Sequence, residues 1–297
     1  MLIAVFGKYF KEAKFTEVQM LFDELEKKRI KFVVYKNYFD DCLRHGINID
    51  LKTPTYSNYN QFASFNPEFV ITIGGDGTIL NTLEFIRSHQ IPVAGVNTGR
   101  LGFLAGVAAT KVKQLVSDIE KGHFKIDART VLKLECESKL FGGVHYALND
   151  FVLHKKDSSS MITVHTYLNG EFLNSYWSDG LIVSTPTGST GYNLSCGGPI
   201  LYPTSASLVL TPIAPHNLNV RPIILNDSNV ISFEIEGRGE SFLATLDSRS
   251  ESVGANSPLA VRKADFMFNL MRFNDENYLN TLRDKLMWGI DNRNFKQ

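Results

Sequence analysis

Phe69-Val70-Ile71-Thr72-Ile73-Gly74-Gly75-Asp76-Gly77-Thr78-Ile79 is the stretch on which the reading of this chain turns. Apolar, β-prone residues run into a glycine-rich turn, and a run from Ile79 to Arg87 follows with helical spacing. A turn between a strand and a helix N-terminus bares backbone N–H groups beside the positive end of the helix dipole, which makes a phosphate cradle. The carboxylate at its centre is out of place there. Asp76 repels a phosphate unless it binds a metal, carries a proton or holds a hydroxyl beside the phosphate. That combination points to phosphoryl transfer to an alcohol. The plainer reading is a tight turn with Asp at a helix start, where Asp is favoured anyway.

Outward from this stretch, strands and helices alternate up to about Gly122. Ile3–Phe6, Phe32–Tyr35 and Ile91–Val96 read as strands, and Phe15–Lys28 and Lys111–Lys121 as amphipathic helices. Continuous apolar strands separated by helices predict a parallel sheet covered on both faces. Asn37–Asn66 has weak periodicity and reads as a loop or insertion. From Phe124 onward the period changes to two, in Val131–Glu137, His145–His154, Ile162–Leu168 and Glu171–Trp177. Asn169-Gly170 between two of these runs signals a type I′ hairpin. Leu208–Leu210, Val230–Glu236, Ser241–Leu246 and Leu259–Arg262 continue the strand character, and Asn277–Trp288 turns helical with Leu279, Leu282 and Leu286 on one side. The expected architecture is an α/β domain with a parallel sheet (1–123), a β-sandwich-like all-β domain (124–268) and a helical tail (269–297) returning to the first domain.

Composition narrows the function. The 297 residues suffice for two domains at about 100–200 residues each. Lys and Arg (31) balance Asp and Glu (31) without a basic run, which argues against nucleic acid. Cys42, Cys136 and Cys196 are widely spaced and offer neither a disulfide framework nor metal-ligand spacing, as suits a reducing cytoplasm. No apolar run approaches the roughly 20 residues that span a bilayer. Met1–Phe6 lacks a basic lead and reads as a buried strand, not a signal peptide.

Four further segments carry candidate chemistry. Asn97-Thr98-Gly99-Arg100-Leu101-Gly102-Phe103-Leu104 follows a strand and so emerges at the carboxyl end of the sheet, where open α/β sheets bind ligands. Gly99 and Gly102 permit close backbone approach. Phe103 is a candidate to cover a planar ring or to pack in the core, and Arg100 to offset phosphate charge or to meet water. Ala147-Leu148-Asn149-Asp150 sets two strand-averse residues inside an alternating strand. The Asn amide suits an adenine edge and the carboxylate suits ribose hydroxyls; two solvated groups on an edge strand are the alternative. Ser178 to Ile200 runs from a strand into a turn dense in hydroxyls and glycine, with Thr187 and Ser189 as N-cap candidates and Tyr192 as a flat, amphipathic contact. His216, between prolines, reads as a hydrogen-bonded structural residue. No zinc-site spacing and no Ser-His-Asp or Cys-His arrangement stands out.

In order, Gly74-Gly75-Asp76-Gly77-Thr78, Asn97-x-Gly99-x-Leu101-Gly102-Phe103-Leu104, Leu148-Asn149-Asp150, the run from Asp179 to Thr190 and Pro215-His216-x-Leu218-x-x-Arg221-Pro222 resemble the NAD kinases from about Ile3 to Trp288. Phosphofructokinases and lipid kinases share a Gly-Asp turn but lack the other four segments in this order. The resemblance implies transfer of the γ-phosphoryl of ATP to the 2′-hydroxyl of the adenosine ribose of NAD, in an enzyme of the ATP-dependent or polyphosphate/ATP-dependent bacterial type. It implies Mg²⁺ or another divalent cation with ATP, NAD as substrate, a homodimer or homotetramer, and no membrane or nucleic-acid partner. Asp76 is implied as the base at the 2′-hydroxyl, with Gly74, Gly75, Gly77 and Thr78 near the phosphates and Asn97, Gly99 and Phe103 on the adjoining loop. Asn149 and Asp150 are implied at the adenosine end. Thr190, Gly191, Tyr192 and Ser195 are implied as the adenine and ribose wall, Thr187, Gly188 and Ser189 as further nucleotide-binding residues, and Asp179 as a contact to the nicotinamide end.

This chain departs from the usual pattern at Asp150 (Glu is common), Gly191 (Ala), Trp177 (a basic residue) and Arg249 (a neutral one). Arg249 is a candidate to approach the new 2′-phosphate or the pyrophosphate, or to point to water. Two other readings compete: a lipid or sugar kinase sharing the Gly-Gly-Asp-Gly turn, and a non-catalytic dinucleotide-binding sensor.

Overall fold

Leu2–Gly7 (β1), Phe15–Lys27 (α1), Lys31–Tyr35 (β2), Lys36–Arg44 (α2), Thr55–Tyr56 (β3), Tyr59–Phe65 (α3), Phe69–Gly74 (β4), Asp76–Ile86 (α4), Val93–Asn97 (β5), Val107–Ala108 (β6) and Val112–Lys121 (α5) follow one another in the first part of the chain. The computed structural model describes residues 1–9, 14–99, 102–136, 140–156, 160–239, 241–273 and 277–288. Contacts divide the chain into two units: Met1–Ile86 with Ile91–Asp127 and Asn269–Gln297, and Arg87–Gln90 with Ala128–Phe268.

In the first unit, β3-β2-β1-β4-β5 form a parallel sheet, with β6 paired to β5. Ile3, Val5, Ile71 and Ile73 point to one face and pack on Leu21 and Phe22 of α1 and Leu115 and Val116 of α5. The intervening Phe6 meets the rings of Tyr35 and Phe85, and Phe85 meets Tyr56. Both faces are thus covered, which is why the strands read as unbroken apolar runs.

Asn37–Asn66 is not a loop: α2, β3 and α3 lie within it. Its apolar faces are built from aromatic residues, Tyr38 and Phe39 in α2 and Phe62 in α3, which blurred the periodicity. Asn58 accepts from Gln61 N (3.0 Å) while the Gln61 side chain accepts from Ser57 N, a reciprocal cap that starts α3.

The second unit is built on Lys125–Cys136 (β7), Tyr146–Ala147 (β8), Asp150–Lys155 (β9), Ile162–Leu168 (β10), Glu171–Ser178 (β11), Gly180–Ser184 (β12), Tyr192–Ser195 (α6), Ser207–Ile213 (β13), Ile223–Asn226 (β14), Ile231–Glu236 (β15), Ser241–Leu246 (β16) and Arg249–Gly254 (β17). One antiparallel sheet has the order β14-β13-β12-β9-β16-β17. β11, β10 and β15 are neighbours in another, which continues to Leu259–Arg272 (β18). Phe151, Leu153, Leu181 and Phe242 of the first sheet and Val164, Phe233 and Val261 of the second share one core, giving the sandwich. Asn169 (φ 51) and Gly170 (φ 86) both take the positive φ that a type I′ hairpin requires.

β18 is much longer than Leu259–Arg262: residues 259–268 belong to the second unit and 269–272 to the first, where Leu270 pairs with Val93 in parallel. Tyr278–Leu286 (α7) follows in the first unit, capped by the Asn277 side chain. Among the described residues no helix is long and apolar enough to cross a membrane.

Candidate active site

In the first unit, α4 starts at Asp76 and not at Ile79, so the glycine turn is the first turn of the helix itself. Asp76 is half-buried and its carboxylate is heavily engaged. Oδ2 accepts from Phe103 N (2.8 Å), and Oδ1 accepts from Leu104 N (3.0 Å) and Ala105 N (2.9 Å). The loop reaches that carboxylate because residue 102 is glycine: a Cβ there would lie 1.8 Å from Asp76 Oδ1. The close approach foreseen at Gly102 is therefore made to Asp76.

The same loop is gripped from its carbonyl side. Arg272 donates to Phe103 O (2.9 Å) and Leu104 O (3.4 Å), and its Nε to Asp127 (3.2 Å). Asn97 is buried and spends its amide on the loop, accepting from Gly99 N (2.7 Å) and donating to Ala105 O (3.3 Å). Phe103 is half-buried, with its ring 6.4 Å from that of Tyr278. Arg100 and Leu101 lie outside the described residues.

The glycines of the turn differ among themselves. A Cβ on Gly74 would meet the Thr78 hydroxyl at 2.1 Å, so packing of the turn dictates that glycine. Around Gly75 and Gly77 a Cβ would meet nothing within 4 Å. Nothing in the chain itself crowds these two positions, and their backbone is open to a ligand.

In the second unit the Asn149-Asp150 pair marks a broken strand. The run 145–154 is not continuous: β8 stops at Ala147 and β9 starts at Asp150. The amides at the break go to Asp247, in the turn between β16 and β17. Its carboxylate accepts from Leu148 N (2.9 Å), Asn149 N (2.7 Å) and Asp150 N (3.2 Å), and its own N–H donates to Asp150 O. Asp150 pairs with Ser184 in the ladder, so the segment after β12 starts alongside. Thr185 donates from N to Asn149 O (2.9 Å) and from Oγ1 to Leu148 O (2.6 Å). Gly188 packs so closely that a Cβ would lie 2.1 Å from Asn149 O, and one on Gly191 would stand 3.7 Å from the Asn149 amide nitrogen.

The nucleotide-binding candidates between Thr187 and Ser195 fall into two groups. Thr187, Gly188 and Ser189 are buried scaffold. Neither hydroxyl caps a helix: Thr187 accepts from Arg129 (3.2 Å), and Ser189 donates to Pro186 O and accepts from Leu201 N. Buried Asn193 ties the turn to Pro199 O and Thr211. Thr190 and Gly191 are half-buried and Tyr192 and Ser195 exposed, so these four form the accessible side.

Burial, with the Asp247 charge behind it, pushes the Asp150 carboxyl up to about 7. Burial raises Asp247 as well, against the pull of its three amides and Arg249. The Tyr192 phenol is raised by burial first, then by Cys196 and by the charges of Asp150 and Asp179.

Asp179 stands at the far end of β12 from Ser184, roughly 16 Å of strand away, and its carboxylate pairs with Lys155 at 2.6 Å. The Trp177 ring lies 4.5 Å from that of His216, which donates from its backbone N to Trp177 O. The Arg249 guanidinium donates to Val144 O (2.8 Å) and Tyr146 O, so backbone carbonyls take it up. Asp247, Arg272, Lys155, Arg129 and Asn193 escaped the sequence reading. The one local signal for Asp247 was its place in a short turn between two alternating runs.

Comparison with known proteins agrees along the whole chain. Residues 3–124 match the ATP-NAD kinase N-terminal domain and residues 148–273 the ATP-NAD kinase C-terminal domain. A protein of Cytophaga hutchinsonii named NAD kinase is 49% identical over 294 residues, covering 99% of this chain and 100% of its own. A Bacteroides fragilis protein of the same name is 39% identical over 293 residues, with 99% and 100% covered. The fold matches a yeast NADH kinase crystallised with NADH (TM-score 0.85, 22% identity, 98% of this chain and 89% of that one). It also matches an Archaeoglobus fulgidus NAD kinase in complex with ATP (TM-score 0.73, 24% identity, 97% and 99%). With both family domains matched in order and relatives so similar over their full length, the chain belongs to the NAD kinase family.

Proposed function

We propose that this protein transfers the γ-phosphoryl group of ATP to the 2′-hydroxyl of the adenosine ribose of NAD, giving NADP. The observation that carries the reading is the coordination of Asp76. A carboxylate offers about four acceptor directions. Three are filled by the amides of residues 103–105, which leaves one on Oδ2. A single remaining lone pair on a clamped, half-buried carboxylate suits one hydroxyl: Asp76 orients the 2′-oxygen in line and takes up its proton late in the transfer. The transition state of such transfers is loose, so positioning counts for more than strong base catalysis.

The open backbone at Gly75 and Gly77 takes the donor phosphates beside the α4 N-terminus. Asn149 and Asp150 bind the adenosine end, with Thr190, Gly191, Tyr192 and Ser195 as its wall. Asp150, shorter by one methylene than the common Glu, accepts from ribose hydroxyls when ionised. Asp179 faces the nicotinamide end with its charge offset by Lys155.

A divalent cation fits this site only as a companion of the triphosphate. Asp76 has one free acceptor direction, and among the described residues no group of three or more His, Cys, Asp or Glu side chains is placed to hold a metal ion. When bound, the ion supplies charge neutralisation on the donor phosphates.

Among the described residues Cys42, Cys136 and Cys196 form no disulfide, which supports a reducing cytoplasm. Phe172 and Trp177 are exposed on the outer strand β11, which supports assembly as a homodimer or homotetramer. The deciding experiment incubates the protein with ATP, Mg²⁺ and NAD and looks for NADP. No NADP, with a lipid or sugar phosphorylated instead, overturns the reading.

A further inference from the structure

The segment 148–150 has a structural problem that the sheet does not solve. Between β8 and β9 its successive N–H groups leave the ladder, and buried amides need acceptors. Asp247 supplies them all, from a position 97 to 99 residues further along the chain. The solution is costly. Asp247 sits at φ 53, a backbone region that favours glycine in so short a hairpin turn. Its charge also raises the cost of charging a buried carboxylate, Asp150, while burial raises the cost of charging Asp247 itself. A glycine in the turn and a straight strand across 145–154 would avoid both expenses. The same hairpin adds a second hold, since Arg249 binds the carbonyls of Val144 and Tyr146 and lies 5.8 Å from the centre of the Phe141 ring. Donors and acceptors of one segment, 144–150, are thus fixed by two side chains of one turn.

We propose that the turn between β16 and β17 is a positioning device: Asp247 and Arg249 hold the backbone of residues 144–150 in the broken-strand form that presents Asn149 and Asp150 to adenosine. Both are positioning residues that act through the segment. Three amides engage the carboxylate of Asp247 and two carbonyls hold the guanidinium of Arg249. The proposal rests on the reading of Asn149 and Asp150 as adenosine contacts and adds what sets their geometry.

The test is steady-state kinetics on four variants of the full chain, Asp247→Asn, Asp247→Gly, Arg249→Met and Asn149→Ala, with KM for NAD, KM for ATP and kcat measured separately. Asp247→Asn turns an NH₂ group toward amide donors, and Asp247→Gly relieves the backbone while removing every acceptor. Loss of charge-assisted bonds predicts a KM for NAD raised about tenfold or more in both. KM for ATP and kcat stay within about threefold. Arg249→Met keeps the apolar stem and raises KM for NAD by a smaller factor. A loss of general stability would lower the apparent kcat through the folded fraction and leave both KM values unchanged, so a rise confined to KM for NAD separates positioning from mere support.

If Asn149→Ala leaves KM for NAD unchanged, the adenosine reading itself has failed. If Asn149→Ala raises it while both Asp247 variants stay within twofold of the parent, the positioning device is refuted. Should the Asp247 variants not fold, Arg249→Met decides, and an unchanged KM for NAD overturns the proposal.

Discussion

Gly102→Ala is the sharpest perturbation of Asp76, the proposed base, because it adds one methyl carbon directly against its carboxylate. The added Cβ would lie 1.8 Å from Oδ1, 2.5 Å from Cγ and 2.8 Å from Oδ2 of Asp76. Ordinary contact needs about 3.5 Å, so the carboxylate and the loop must part by well over 1 Å. That movement breaks the bonds to Phe103, Leu104 and Ala105, which are 2.8–3.0 Å long. A misplacement of about 1 Å at a reacting group costs on the order of 100-fold in rate, or about 2.7 kcal/mol of barrier. Overpacking costs stability by about 1–3 kcal/mol, which a folded domain survives. The assay measures NADP formation at saturating ATP and NAD beside a thermal melt. The expected result is kcat lower by about 100-fold with KM for NAD within about threefold, because the proposed adenosine contacts, Asn149 and Asp150, lie in the second unit. A kcat within threefold of the parent refutes the placement of Asp76 as the group that meets the hydroxyl.

Gly75→Ala is the complementary case: its Cβ meets nothing of the chain within 4 Å, so the melt should not move while KM for ATP rises several-fold, and an unchanged KM would remove the phosphates from that turn. Asp76→Asn should keep NAD affinity, read by calorimetry, and lose most of kcat; likewise 2′-deoxy-NAD should bind without reacting. Arg272→Met frees the carbonyls of Phe103 and Leu104 and should lower kcat about tenfold at nearly constant KM for NAD, and an unchanged kcat would show that Asp76 alone holds the loop. Asp150, with its carboxyl raised to about 7 when folded, binds more protons in the native than in the unfolded state between about pH 4 and 7. The ligand-free protein should therefore lose stability as pH rises through that window and level off above it, and Asp150→Asn should flatten this part of the melting profile.

What the sequence discloses follows from how local each signal is. The strand at Phe69–Gly74 and the helix behind it are legible because both faces of the sheet are covered and the turn must be glycine-rich. Asn169-Gly170 is legible because a type I′ turn dictates those residues. Asn37–Asn66 hid two helices because Tyr38, Phe39 and Phe62 bury aromatic rings where aliphatic periodicity is the usual guide. Asn149-Asp150 was legible as a broken rule, but the cause of the break was not. Its amides are satisfied by a residue almost 100 positions away, and no periodicity or spacing connects the two. Arg272, 168 and 169 positions from the carbonyls it binds, was invisible for the same reason.

The two units share one physical device. In each, a carboxylate from a turn accepts from three successive backbone amides: Asp76 from residues 103–105 and Asp247 from residues 148–150. In each, an arginine binds carbonyls of the same or the adjoining stretch, Arg272 in the first and Arg249 in the second. Runs of three free amides are costly in a protein interior, and a carboxylate is the one side chain that can accept from all of them at once. The reward is a loop with the rigidity of a strand but without a strand's regular geometry. Each clamp accepts from three amides, and both aspartates are half-buried. On the proposed reading the clamp of the first unit itself meets the hydroxyl, whereas in the second unit the clamped residues, Asn149 and Asp150, meet the ligand. A transfer that depends on holding a hydroxyl in line with a phosphorus needs its positioning groups held in place, and each clamp fixes a backbone segment of its own unit.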